Sequence, residues 1–326
     1  MKARRSTKYR IWARVSAGSV TAVHIAAENL RGRFPEPTFM RSITGFRWGA
    51  LVLVAVPLLA PAAPAAEAAR LYQDTAAQVL PVAGYQSRVA LEDSIVKLTQ
   101  AGVIDRKKIE DLYAAGGGAP EELKIILNKT SRQPILLTAK NARLYVTLLW
   151  PLGLANRMAA NSTSPLNGPS RFRYASTGGW TLGREANGGA YFNAFPIVEL
   201  TSRQEALVIR VADRSFRPCC NNSTFYQDCN HGSALLGMIA LGAFQGLNEE
   251  ELFREALAFN ALWFPEHYAH IALYFKVMKG IDWRNVDAKT VLSETYSSAS
   301  GMQANVAKAL QDRGFLPGQN GTDCSA

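Results

Sequence analysis

Three of the chain's four cysteines, Cys219, Cys220 and Cys229, share the stretch RPCCNNSTFYQDCNHGSALLG with His231, one of only four histidines. His267 and His270 follow on the next helical segment but one. Thiolate and imidazole are the donors that zinc and copper prefer. Cys229-x-His231 with His267 or His270 would make a tetrahedral or trigonal ligand set, with Cys219 and Cys220 as further ligands or a redox pair. The spacing Cys-Cys-x8-Cys-x-His matches no standard zinc motif, and there is no Cys-x-x-Cys pair.

The same residues suit two other chemistries. Cys229 stands at the doorway of an apolar helix, where free amide groups and the helix dipole favour a thiolate. His267 or His270 would then act as base, oriented by Asp228, Asn230 or Glu266, in a hydrolase or a thiol-redox enzyme. Alternatively, Cys219 or Cys220 pairs with Cys229 as a disulfide staple and Cys324 ties down the tail, leaving a structural or binding module without catalysis.

These sites depend on helices meeting. GSALLGMIALGAFQG, ending at Gly246, is apolar on every side and predicts a buried central helix. Asn248 caps EEELFREALAFNALWF, and Pro265 opens PEHYAHIALYFKVMKG. A tight turn at Gly246 makes the first two helices antiparallel, so the histidines of the third return toward the cysteine bend. His267 and His270 are i, i+3 neighbours, and Glu266 and His270 are i, i+4 neighbours. The segment QDCNHGSALLGMIALGAFQGLNEEEL resembles the nucleophile helix of papain-fold cysteine peptidases, in which a cysteine begins a buried helix and a nearby glutamine helps form the oxyanion hole. That resemblance spans residues 227–252 alone, and the downstream strand carrying the family's histidine is not legible here.

Elsewhere the pattern reads as helix too. Ser87 caps a segment carrying Leu91, Ile95 and Leu98; Asp105 opens another; Pro120 begins PEELKIIL; residues 138–149 form a buried helix broken by Pro151 and Gly153; and Thr201 to Gln204 is a capping box. Residues 156–196 are rich in Gly, Asn and aromatics. They read as one long ordered loop holding one short hairpin, with 176–193 covering the site and receiving a small molecule or peptide. The expected fold is all-α, an irregular multi-helix bundle.

The N-terminal segment sets the compartment. WGALVLVAVPLLA, after Arg41 and Arg47 and before PAAPAAEAA, has the basic flank, short apolar core and small-residue exit of a secretory signal peptide. We therefore expect residues 1–39 to be an upstream extension, 40–69 a cleavable leader, and 70–326 a single helical domain, periplasmic or secreted, with no stable membrane anchor. Residues 1–69 hold 10 Lys+Arg and 3 Asp+Glu, which leaves 26 and 23 for the mature chain, so the net charge of +10 falls to +3. Without a basic stripe, nucleic-acid binding is not expected.

Overall fold

The computed structural model describes residues 62–114 and 117–316. The apolar core of the leader, the upstream extension and Cys324 lie outside the described residues. The chain runs α1 (Ala62–Val79), β1 (Tyr85–Glu92), α2 (Ser94–Gln100), α3 (Arg106–Ala114), α4 (Glu121–Asn128), β2 (Ser131–Leu137), α5 (Ala142–Ala155), α6 (Ser202–Asp213), α7 (Asn230–Phe244), α8 (Glu249–Trp263) and α9 (Pro265–Lys279). Four short helices follow: α10 (Ala288–Val291), α11 (Glu294–Ser297), α12 (Ala299–Gly301) and, after a π-helical turn over Met302–Ala307, α13 (Lys308–Asp312). Among the described residues no helix is long and apolar enough to cross a membrane.

The molecule is mostly helical, compatible with the expected all-α fold, and carries one small sheet in which β1 and β2 form an antiparallel pair. Leu91 belongs to β1, not to a helix starting at Ser87. Ser87, Val89 and Leu91 are buried at the two-residue period of a strand, and α2 begins only at Ser94. A lone two-stranded sheet is marginal in water. Here side chains from the helical layer bind β1. Buried Glu255 accepts hydrogen bonds from Ser87 Oγ (2.6 Å), the Arg88 amide (2.9 Å) and Tyr85 Oη (3.1 Å). Gln245 accepts from the Ala90 amide at 2.9 Å and donates to its carbonyl at 2.7 Å. The two residues satisfy backbone groups that a third strand would otherwise have paired.

α7 is the central helix, with every residue from Gly232 to Ala243 buried. α5 lies across it at backbone contact. A Cβ at Gly153 would stand 1.8 Å from the Ser233 carbonyl oxygen, and one at Gly237 would stand 2.6 Å from that of Leu149. α5 therefore runs through Pro151 and Gly153, which the sequence pattern treats as breaks. Gly153 is the contact itself, and Ser233 Oγ donates to the Trp150 carbonyl at 3.0 Å. Gly153→Val is expected to lower stability by at least about 3 kcal/mol through overpacking of this crossing, measured by urea denaturation.

The expected helix ends occur at α6, with its Thr201–Gln204 capping box, at α8, capped by Asn248 and Glu251, and at α9, which opens at Pro265 and closes at left-handed Gly280. The 156–196 segment has no hairpin; its only pairing is an isolated bridge between Asn156 and Phe195. It is held instead by buried polar anchors. Asn156 Oδ1 accepts from the Ile197 and Val198 amides, Trp180 Nε1 donates to Val103 O at 2.7 Å, and Tyr191 Oη donates to Gly102 O at 3.0 Å. The aromatics that suggested a ligand surface are in large part core residues: Trp180, Tyr191 and Phe192 are buried.

Candidate metal centre

The bend between α6 and α7 is tied down on both sides before any sulfur is placed. Thr224 returns to Ser215 through its amide and hydroxyl, each at 2.8 Å. The Phe216 amide bonds Leu292 O, and the Cys220 carbonyl accepts from the Ala299 amide at the start of α12. On the other flank Ser176 of the long loop bonds the carbonyls of Gln227 and Asp228. Cys229 is the N-cap of α7, its Sγ accepting from the Gly232 amide at 3.3 Å.

That framework brings three sulfurs together. Cys220 and Cys229 Sγ are 3.5 Å apart, and Cys219 Sγ is 3.6 Å from each of them. No pair is bonded, since a disulfide needs about 2.05 Å; all three thiols are free. The staple expected from Cys219 or Cys220 to Cys229 is therefore not formed. A tetrahedral ion with Zn–S bonds of about 2.3 Å needs sulfurs about 3.8 Å apart, so this triangle is close to one face of that polyhedron. Among the described residues, these three cysteines are the one cluster of His, Cys, Asp or Glu with metal-ligand geometry, all donor atoms lying within 4.8 Å of one another.

Comparison with family models, curated proteins and solved structures finds no match to this chain.

Among the described residues the histidines do not join the sulfur cluster. The start of α9 does approach the start of α7, and Phe264, at the start of α9, packs against both His231 and His267. Its ring centroid lies 4.5 Å from that of His231 and 6.2 Å from that of His267. His231 also packs on Trp263, and His270 packs on Tyr72 of α1. Among the described residues no hydrogen bond reaches these imidazoles, and none joins the sulfur cluster. Asn230 Oδ1 accepts from the His231 amide, and the Asp228 oxygens accept from Arg217 and Asn222.

Sequence reasoning missed Arg217. It is wholly buried, and its guanidinium donates to Cys229 Sγ (Nε, 3.0 Å), the Asn222 carbonyl (Nη1, 2.8 Å) and Asp228 Oδ1 (Nη2, 3.3 Å). Gly232 makes room for it: a Cβ there would fall 2.5 Å from Nη2. The available signal was electrostatic, because a cluster of thiols able to ionise calls for a cation and Arg217 is the cation that opens the motif. Hydrogen bonds from Cys219 and Cys220, together with the Arg217 charge, hold the Cys229 thiol well below its ordinary value despite burial. The Cys219 thiol is pushed up by donating to Cys220 and Cys229. Cys220 is pushed up to about 12: a bond from Cys219 favours its thiolate, but donation to Cys229 and burial outweigh it. These shifts favour the thiolate at Cys229 over Cys219 and Cys220.

Burial lowers His231 to about 4, with Arg217 adding to the effect and the Cys229 charge opposing it. An unfolded histidine titrates near 6.5, so from there down to about 4 the unfolded chain takes up a proton that folded His231 refuses. Its contribution to stability is complete above about 6.5 and is lost as pH falls toward 4. Thermal midpoints of the wild type should therefore drop over that window, and His231→Phe should drop less.

Proposed function

We propose that the protein binds a soft metal ion, zinc or univalent copper, through the thiolates of Cys219, Cys220 and Cys229. The observation that carries this reading is the closed triangle of unbonded sulfurs at 3.5–3.6 Å. Charge supports it as well. A divalent ion with three thiolates carries one net negative charge, which the buried Arg217 guanidinium offsets, and an N–H donated to a ligand sulfur is the kind of outer contact that tunes such centres. The leader expected at residues 40–69 makes this an exported protein. In an oxidising compartment, three adjacent free thiols persist best when an ion occupies them.

The coordination would be open. Cys219 is exposed, whereas structural zinc sites are closed by four chain ligands. We therefore favour an ion-handling or ion-dependent role over a purely structural one. The test is metal analysis of untagged protein purified without added metal. One equivalent of zinc or copper per chain is expected, and it should be absent from the Cys219→Ser/Cys220→Ser/Cys229→Ser variant. Metal-free wild type that also fails to take up either ion under reducing conditions would overturn the reading.

A nucleophilic Cys229 is the second reading, favoured by the Arg217 and Gly232 donors on its sulfur. Among the described residues no imidazole is in hydrogen-bond contact with it to serve as base. Iodoacetamide labelling of metal-stripped protein across pH separates the two readings, because only catalysis by this thiol requires fast, selective alkylation of Cys229.

A further inference from the structure

Among the described residues, an ion on the three sulfurs would find no fourth donor. Both Asp228 oxygens are engaged, Oδ1 by Arg217 and Oδ2 by Asn222 at 2.6 Å. His231 is packed against Phe264 and Trp263. Among the described residues no other cysteine, histidine or carboxylate reaches the trio. The site is also lopsided. Cys229 is backed by the wholly buried Arg217 and by the N-terminus of α7, while Cys219 stands exposed. Among the described residues, then, nothing fills the remaining coordination position, and the sulfur that stands beside it at the exposed edge is that of Cys219.

We infer that this position takes the sulfur of a thiol-bearing molecule from solution, a small thiol or a cysteine-containing peptide. The inference rests on the metal reading above and deepens it. Three thiolates donate so much electron density that the ion is a weak Lewis acid toward water, and a soft centre prefers a soft fourth ligand. Four sulfurs also complete one of zinc's common ligand sets. In the step, a metal–sulfur bond forms, the metal–water bond breaks, and the thiol proton passes to bulk solvent with no change of oxidation state. The added negative charge lands at the exposed edge, where water screens it, while Arg217 compensates the buried edge.

Cobalt(II) makes the inference measurable, because its visible bands report both sulfur ligation and coordination geometry. Reduced, metal-stripped protein is loaded with one equivalent of cobalt, then titrated with N-acetylcysteine and, separately, with imidazole. X-ray absorption gives the sulfur count, and gel filtration shows whether cobalt stays with the protein. The expected result is a saturable spectral change with one thiol bound, a rise from three sulfurs to four, release of one proton, and thiol affinity at least about tenfold above that of imidazole. Sulfur-to-cobalt bands that do not respond to the thiol, or that respond better to imidazole, overturn this inference and leave the metal site standing. Cobalt extracted into the thiol fraction counts against it in the same way. Failure of the protein to develop sulfur-to-cobalt bands at all overturns the metal reading itself.

Discussion

Replacing Cys229 with serine is expected to weaken zinc or copper binding by at least about 100-fold while leaving the fold intact. Even outer contacts of a metal centre are worth 10- to 100-fold in affinity, and this change removes one of three direct ligands. The hydroxyl is a hard donor that stays protonated at neutral pH, so it replaces neither the softness nor the charge of the thiolate. Serine does replace the other role of Cys229. It is among the best N-cap residues, and its oxygen accepts from the Gly232 amide as the sulfur does. Affinity measured by competition with a chromophoric chelator should collapse, while the far-UV spectrum stays that of the wild type. Cys219→Ser should weaken binding less, because Cys219 is exposed and has no buried donor behind it. Equal affinity in Cys229→Ser and the wild type would mean that the ion is held elsewhere.

The candidate site was legible in the sequence as far as local chemistry allowed. Three cysteines in an eleven-residue bend before an apolar helix announce a sulfur cluster, and Cys229 caps that helix as its position implies. The histidines were harder to place. The Gly246 turn does return α8 and brings the start of α9 toward α7, but a helix start fixes a direction and not a rotamer. His231 and His267 both pack on the ring of Phe264, immediately before Pro265, and among the described residues neither joins the sulfur cluster. Arg217 escaped attention because its value depends on burial, which no spacing rule conveys.

The fold shows the same division between local and tertiary information. Caps and stops at Thr201, Asn248, Pro265 and Gly280 are local hydrogen-bond and backbone requirements, and they occur where the residues put them. β1 was lost because Leu91, Ile95 and Leu98 fit a helical period across a strand-to-helix junction. What makes residues 85–92 a strand is remote: Glu255 and Gln245, more than 150 positions away, hold its backbone and side chains. Pro151 misled for a related reason. Its cost to a helix is real, but α5 is held along its length by the glycine contact with α7, and packing outweighs one missing hydrogen bond.

Arg217→Met is expected to destabilise the metal-free protein by roughly 3 kcal/mol at neutral to alkaline pH, the range seen when one partner of a buried charge pair is removed. Methionine fills much of the same tunnel over Gly232, so the loss falls mainly on the groups that the guanidinium serves. Asp228 is partly solvated and can turn to water, whereas the Cys229 thiolate and the Asn222 carbonyl lose buried donors. The pH dependence identifies the cause. In the folded wild type the Cys229 thiol lies well below its ordinary value, while in the unfolded chain it titrates near 8.5. Such a group contributes stability that is fully present above the unfolded value and is lost as pH falls through the folded one. The gap between wild type and variant should therefore be widest above about pH 8.5 and narrow steadily in acid. Arg217→Lys should fall in between, because a lysine keeps the charge but cannot fork to three acceptors. Urea denaturation at a series of pH values measures the gap directly, and a gap that does not change with pH would reduce Arg217 to packing alone. With an ion bound, the same substitution should cost about tenfold in affinity, because the negative charge left on a three-thiolate centre would lose the buried cation that faces it.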